Sequence, residues 1–428
     1  MRSRLTMVVA GITSIAAMVS LAACGRTADS GAEKDNTAVS HIGDSKASGQ
    51  LTIWAMGNEG EKMNGFVKKF EQQNPDVKIS VTSIPWSSYK DKFQTAIAAG
   101  TGPDVAMMGN TDMATYSKAL SAVPADLDMS DLNAGLKASG KVGKTQLGVP
   151  MYVDTRVLYY RTDIAKQAGW DHAPKSWDEL KAMSSDLKKA DGVKYGFFMF
   201  PTGTDSFQGM SPFAFSDGAQ FVSKDNKAYT FDTPELKDAL KYTTSLFKDG
   251  LADVNADVTP GSNMQQFVSG ATPMMIEGPT AAGQIEELGG PGFADKYATA
   301  VVPAKKSSTS FVGGCNWAVF KTSKNKQSAW KFIQWFAQPQ TQVDWYKATA
   351  DLPASGKAWK DKELAGNAKL QAFEEQLKHV HSMPVTFTWG EMGKTADTIY
   401  EKMNRGTVSV EDGLKELQQQ ADSIGTGM

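Results

Sequence analysis

The sequence predicts an α/β fold built on more than one hydrophobic core, and three observations carry that expectation. Strand-like and helix-like segments alternate from Leu51 to Met108, a spacing that gives parallel strands with helices on their faces. A chain of 428 residues exceeds what one core usually serves, so two domains are expected. A second set of apolar and aromatic runs then begins at Val157, after a break at Gly148-Val149-Pro150.

Leu51 to Ala55 reads as the first strand, ended by the turn-rich Met56–Gly60. Met63, Phe66, Val67 and Phe70 share one face of a helix expected from about Glu61 to Gln73, stopped by Asn74-Pro75. Val77 to Ser83 alternates as a second strand. Tyr89, Phe93 and Ile97 mark a helix over 85–99, and Asp104 to Met108 is the third strand. In parallel sheets ligands sit beyond the carboxyl ends of the strands. That rule singles out Asn58 and Glu59 after the first strand and Asn110 and Asp112 after the third. Such residues suit hydrogen bonding to a ligand, and they are equally what a surface turn uses.

From Gly148 to Asp163 the chain reads as a hinge. Gly frees the backbone there, and Pro fixes φ and removes a donor. Asp154 and Arg156 precede the apolar run Val157–Tyr160, where a charge must meet water, a partner or a ligand. Beyond it, Trp177 to Lys189 is helical with Ser176 as N-cap and Glu179 three residues on. Tyr195 to Phe200 reads as an aromatic strand, and Ser211 to Phe215 adds Phe213 and Phe215. Pro234 to Gly250 is a helix opening after Thr233. Met274-Met275-Ile276 leads to Glu277-Gly278-Pro279-Thr280, again polar residues after an apolar strand. Phe311 to Phe320, a helix over 327–336, the break Asp351-Leu352-Pro353 and closing helices complete the chain. Trp330 and Trp335 share a helix with Phe332, Ile333 and Phe336, which assigns them to the core.

A formal net charge of −2 with 21% charged residues argues against nucleic acid or a polybasic membrane contact. Residues 1–23 carry Arg2 and Arg4, an apolar run and Leu21-Ala22-Ala23 before Cys24. That is the layout of an export signal, and Leu-Ala-Ala-Cys matches the bacterial lipobox, whose Cys becomes the lipidated first residue. Residues 24–49, rich in Ser, Ala, Gly, Asp and Lys, read as the lipidated Cys and a flexible tether. Cys315 then lacks an intramolecular partner, so it is expected as a buried, inert thiol. The four His form no zinc spacing. No nucleophile elbow or phosphate loop occurs, so neither a cofactor nor an enzyme is expected.

Several motifs stand in order behind that signal: Asn74-Pro75-Asp76-Val77-Lys78-Ile79, Pro85-Trp86-Ser87-Ser88-Tyr89, and Ala98-Ala99-Gly100-Thr101-Gly102-Pro103-Asp104-Val105. Leu158-Tyr159-Tyr160-Arg161-Thr162-Asp163, Trp177-Asp178-Glu179-Leu180, Ser328-Ala329-Trp330-Lys331-Phe332-Ile333 and Leu352-Pro353-Ala354 follow. With them the chain resembles extracellular solute-binding proteins of carbohydrate ABC transporters, the class of maltose- and trehalose-binding proteins. The resemblance implies the two-lobed periplasmic-binding-protein-like fold, with strands crossing between lobes and the ligand in the cleft. The first lobe would be 51–151 plus 303–350, and the second 152–302 plus 352–428. The implied function is capture of an oligosaccharide for the permease subunits of an ABC importer, by a monomer lipid-anchored on the outer face of the cytoplasmic membrane.

Sugars present hydroxyls at the ring edge and apolar C–H faces above and below. Their sites therefore pair charged or amide groups with aromatic platforms. The expected polar contacts are Asn58, Glu59, Asn110, Asp112, Asp154, Arg156, Glu277 and Asn316; the expected platforms are Trp317 and Trp389, then Phe200 and Phe213. Trp389 follows a stretch where the family often places an aromatic, and large aromatics serve cores as readily as sites. Two rivals remain at this stage. The carboxylates would also suit a glycoside hydrolase or a polyamine binder. Ferric iron held by Tyr159 and Tyr160 is disfavoured, because neighbours on a strand point to opposite faces.

Overall fold

A computed structural model describes residues 39–86 and 88–428. The export signal 1–23, Cys24 and the first part of the tether lie outside the described residues. From Val39 onward the chain expected as tether is packed. Ile42 and Ala47 are buried, the Ile42 amide donates to Asp126 Oδ2 at 2.8 Å, and the Ala47 amide donates to Asn74 Oδ1 at 2.9 Å. Two small apolar side chains with bonded amides are enough to seat this segment.

The main strands are β1 (Gly49–Met56), β2 (Val77–Ile84), β3 (Val105–Gly109), β4 (Val149–Thr155), β5 (Val157–Arg161), β6 (Met274–Glu277), β7 (Tyr297–Ala300), β8 (Ser310–Val319), β9 (Leu352–Pro353) and β10 (Val380–Ser382). One sheet runs β9-β4-β8-β3-β1-β2, with β10 beside the start of β8, and a smaller one runs β6-β5-β7. The expected parallel pairing holds for β1 with β2 and β3. The sheet as a whole is mixed, because β8 returns antiparallel between β3 and β4. In β1 the pattern is regular: Leu51, Ile53 and Ala55 are buried while Thr52 is exposed, the period-2 signature of a sheet with one face covered.

Helix α1 (Gly57–Phe66) starts directly after β1, before the expected Glu61, and α2 (Lys68–Gln73) continues it. Asn58 and Glu59 are thus in a first helical turn rather than a loop. Helix α3 (Tyr89–Ala99) begins after a turn at Pro85. Tyr195 to Phe200 is not a sheet strand, and only Phe198 bridges to Met275. Phe197 and Phe198 plug different cores, so the segment stays irregular. Its amides are still bonded, Phe197 to Leu251 O at 3.0 Å and Phe198 to Met274 O at 2.7 Å.

Leu51, Ile53, Met107, Trp317, Trp330 and Phe332 belong to one hydrophobic cluster, and Leu158, Trp177, Phe213, Phe247 and Trp389 to a second. A third, with Val153, Val157, Tyr159, Val312 and Leu352, packs around the crossing strands. Each fully buried large side chain contributes about 1.5–3 kcal/mol. β8 serves all three clusters, since Phe311, Val312 and Trp317 each enter a different one. Its register slips between Cys315 and Asn316. Just before the slip Gly314 has φ 118°, and a Cβ there would stand 2.3 Å from Tyr152 O, so only glycine fits. Cys315 is buried beside Tyr152, and burial drives its thiol pKa well upward, as an inert thiol requires.

Candidate functional site

Arg156 is the only residue between β4 in the large sheet and β5 in the small one. Its side chain lines a cavity. On the first-sheet side, Glu59 is held in the opening turn of α1, where helix amides favour a carboxylate. It is buried and accepts the Tyr152 hydroxyl at 3.0 Å. Burial raises its pKa, against its own amide and the Tyr152 bond. Asp351, which accepts Trp345 Nε1 at 3.0 Å, is raised well above the carboxylate range by burial and then by the charge of Glu59. Asp112 is buried beyond β3 and accepts the Tyr89 hydroxyl at 2.7 Å. Burial raises it too, while Lys90 and the Tyr89 bond oppose.

At the junction, Arg156 Nη1 donates to Asp154 Oδ2, and the guanidinium lies 5.0 Å from the Phe311 ring centre. Burial works against the Arg156 charge, but Asp154 and Glu277 outweigh it and hold its pKa up. The second oxygen of Asp154 is buried without a partner among the described residues. Glu277, at the end of β6, accepts Asn263 Nδ2 at 2.6 Å. Its pKa is raised by burial, with Arg156 opposing. A Cβ on Gly278 would meet Arg156 Nη1 at 2.8 Å, so the absent side chain makes room for the guanidinium. Arg156, Phe200, Asp205, Gln208, Glu277 and Phe311 line a cavity of about 180 Å³.

Of the expected contacts, the structure brings Arg156, Phe200, Phe213 and Glu277 to one cavity, with Asp154 bonded to Arg156, while Glu59 and Asp112 are buried and bonded to tyrosines outside that lining. Asn58 is exposed in the first turn of α1. Asn110 is buried and spends itself on β8, with its amide donating to Gly314 O at 3.1 Å and Nδ2 to Val312 O at 3.3 Å. Three expected contacts need correction. Asn316 is 0% exposed and donates to Ser139 Oγ at 3.1 Å, because β8 is a central strand covered on both faces. Trp317, also 0% exposed, packs edge-on against Phe332 and Phe336. Phe213, by contrast, packs against Trp177 and Phe197 and also lines the cavity. Trp389, 7% exposed, begins a helix and stacks on Phe221 at 6.4 Å. The open ring of that stretch is Phe387, 36% exposed, whose carbonyl accepts Thr115 Oγ1 at 3.3 Å.

Sequence reasoning also missed Trp86, 42% exposed, which packs edge-on against Tyr89 at 5.3 Å. It lies beyond the carboxyl end of β2, so the strand-end rule used for β1 and β3 would have found it. Tyr152, Lys90 and Asp205 carried no such signal. Among the described residues, no group of three or more His, Cys, Asp or Glu is arranged to hold a metal ion. No helix there is long and apolar enough to cross a membrane.

Carboxyl acceptors, a guanidinium donor and open rings around one cleft can bind a polar ligand with apolar faces. The comparisons agree with a binding role. A binding protein of Brucella abortus (strain 2308) is 28% identical over 366 residues, covering 83% of this chain and 88% of its own. The galactooligosaccharide-binding protein of Bacillus subtilis (strain 168) is 24% identical over 421 residues, covering 95% and 94%. The solved structure of the sugar-binding protein MalE from Xanthomonas citri superposes with a TM-score of 0.81 at 28% identity, over 88% of this chain and 97% of that one. These are two-lobed binding proteins rather than enzymes, which sets the hydrolase reading aside. The family model for bacterial extracellular solute-binding proteins matches residues 56–343, more than half of the chain, and the chain belongs to that family.

Proposed function

We propose that this protein captures an oligosaccharide in the cleft around Arg156 and delivers it to the permease subunits of an ABC importer. The observation that carries this reading is the one-residue junction between the two sheets, flanked by Asp154 and Glu277 and opening on an aromatic-walled cavity. A sugar bonded there touches both lobes at once, and it favours their closure by its differential affinity for the closed form. The names of the relatives support the ligand class, since they bind galactooligosaccharide and other sugars. The lobes are taken as 51–151 plus 303–350 and 152–302 plus 352–428, with Phe311 marking the overlap where β8 serves both. The protein acts as a monomer held on the outer face of the cytoplasmic membrane through lipid on Cys24.

One observation favours a second reading. Glu59, Asp112, Asp154 and Glu277 outnumber Lys90 and Arg156 around the cleft, an excess of acceptors that the ammonium groups of a polyamine would meet. Thermal melting with maltose, trehalose, raffinose and spermidine separates the two. A sugar present at 100 times its Kd adds about 2.7 kcal/mol of stability by mass action. A shift with spermidine alone transfers the site to polyamines. In the same cells Cys24→Ala is expected to release the protein from the membrane fraction, and a variant that stays there ends the anchor reading.

A further inference from the structure

The turn entering helix α5 (Ser206–Asp217), which follows α4 (Trp177–Leu187) in our numbering, displays a carboxylate with no hydrogen-bond partner among the described residues. Asp205 has φ 63° and ψ 17°, one of three non-glycine residues in the left-handed region among the described residues. L-residues avoid that region, and a fold keeps one there only where its surroundings over-determine it. The surroundings here are one face of α6 (Trp389–Asn404). Asp397 accepts the Asp205 amide on Oδ2 and the Phe207 amide on Oδ1, each at 2.9 Å. Glu401 accepts Thr202 Oγ1 at 2.6 Å, and Asn404 donates to Pro201 O at 2.9 Å. Positions 397, 401 and 404 are spaced i, i+4, i+7, so a single helical stripe grips the whole turn.

The grip uses the backbone of Asp205 and leaves its carboxylate free. That carboxylate makes no hydrogen bond with the described residues and lines the same cavity as Arg156 and Glu277. The residue keeps an open face on the cleft, yet its carboxyl is crowded by the wall. That crowding raises its pKa, with Lys90 and Arg156 opposing. Lys90 sits on α3 of the first lobe, so Asp205 faces cations of both lobes. An acceptor-only group with two oxygens and neighbouring donors is suited to two adjacent hydroxyls of a sugar ring, while the cations serve its other oxygens.

We propose that Asp205 is a specificity-determining contact of the second lobe, accepting hydrogen bonds from a vicinal pair of sugar hydroxyls, with Asp397, Glu401 and Asn404 fixing where it stands. The proposal rests on the sugar-binding reading above. Asp205→Gly separates it from a purely structural role, because glycine adopts φ 63° without strain and keeps the amide that Asp397 holds. Calorimetry with maltose, trehalose and raffinose, beside a melting curve without sugar, is the test. The expected result is a sugar-free melting point equal to or above that of the parent, and about tenfold or more weaker binding of whichever sugar the parent takes. Asp205→Asn, which tolerates the same backbone and keeps one acceptor, is expected to fall between. Unchanged affinity in Asp205→Gly overturns the contact. A lower melting point together with weaker binding assigns the residue to the fold and overturns it as well. A parent that binds none of the three sugars overturns the sugar reading and this role with it, an outcome distinct from the other two because the parent itself is then silent.

Discussion

Along one wall, beyond β1 and β3, buried carboxyls are met by tyrosine hydroxyls: Tyr89 reaches Asp112 at 2.7 Å and Tyr152 reaches Glu59 at 3.0 Å. Along the other, around Arg156, the pairing is ionic and incomplete. Arg156 serves Asp154 and faces Glu277, one oxygen of Asp154 has no partner among the described residues, and the Asp205 carboxylate is held out by a gripped turn. A phenol can satisfy a carboxyl whether or not that carboxyl is ionised, so the first wall tolerates burial before ligand arrives. The second wall keeps acceptors in reserve. The difference teaches a division of labour, in which one set of carboxyls is satisfied within the fold and the other keeps open oxygens.

The largest expected effect tests what supports the second wall. Trp389→Ala removes a buried ring between Phe221 and Tyr229, at the first residue of the helix that grips the Asp205 turn. A loss of about 3–5 kcal/mol in urea unfolding is expected, the range for large-to-small changes of an aromatic in a core. Full stability with impaired sugar binding would instead return Trp389 to the platforms and unmake the division. Arg156→Met comes next. It strands Asp154 and Glu277 without their cation while keeping the volume of the side chain, so a loss on the order of 3 kcal/mol is expected. Asp154→Asn combined with Arg156→Met should restore part of it. A loss below about 0.5 kcal/mol would mean that solvent screens the pair as it does at a surface, and the contrast between the walls would shrink.

Much of this was legible in the residues, and the failures share a cause. β1 to β3 alternate with helices of local periodicity, so they could be read from neighbours in sequence. The charged junction was legible as well, because Asp154 and Arg156 stand against an apolar run that cannot bury them unpaired. Asn316 and Trp317 were misplaced because β8 is made central by pairing with β3 and β4, more than a hundred residues away in the chain, and nothing local distinguishes a central strand from a strand end. Trp389 and Phe387 lie in a stretch without periodicity, where no sequence rule says which ring faces out. Asp205 is the hardest case. Its left-handed turn is set by Asp397, Glu401 and Asn404, and their helical spacing becomes informative only once the turn is seen lying across it.

The smallest predicted effect bears on the first wall. Tyr89→Phe removes the hydroxyl that Asp112 accepts and keeps the ring against Phe93 and Trp86, so about 1 kcal/mol of stability is expected to go. Its pH dependence says more than its size. Burial already raises the Asp112 pKa in the fold, and the Tyr89 bond is one of the influences holding it down. A carboxyl whose folded pKa lies above its unfolded value contributes stability that is full below the unfolded pKa and is lost as pH rises through the folded one. Removing the hydroxyl raises the folded pKa further, so the loss in Tyr89→Phe should start small in acid and widen toward neutral pH. Melting curves of variant and parent across that range decide the matter. Parallel curves would show that Asp112 does not lean on the phenol for its charge, and the internal satisfaction of the first wall would then rest on Tyr152 and Glu59 alone.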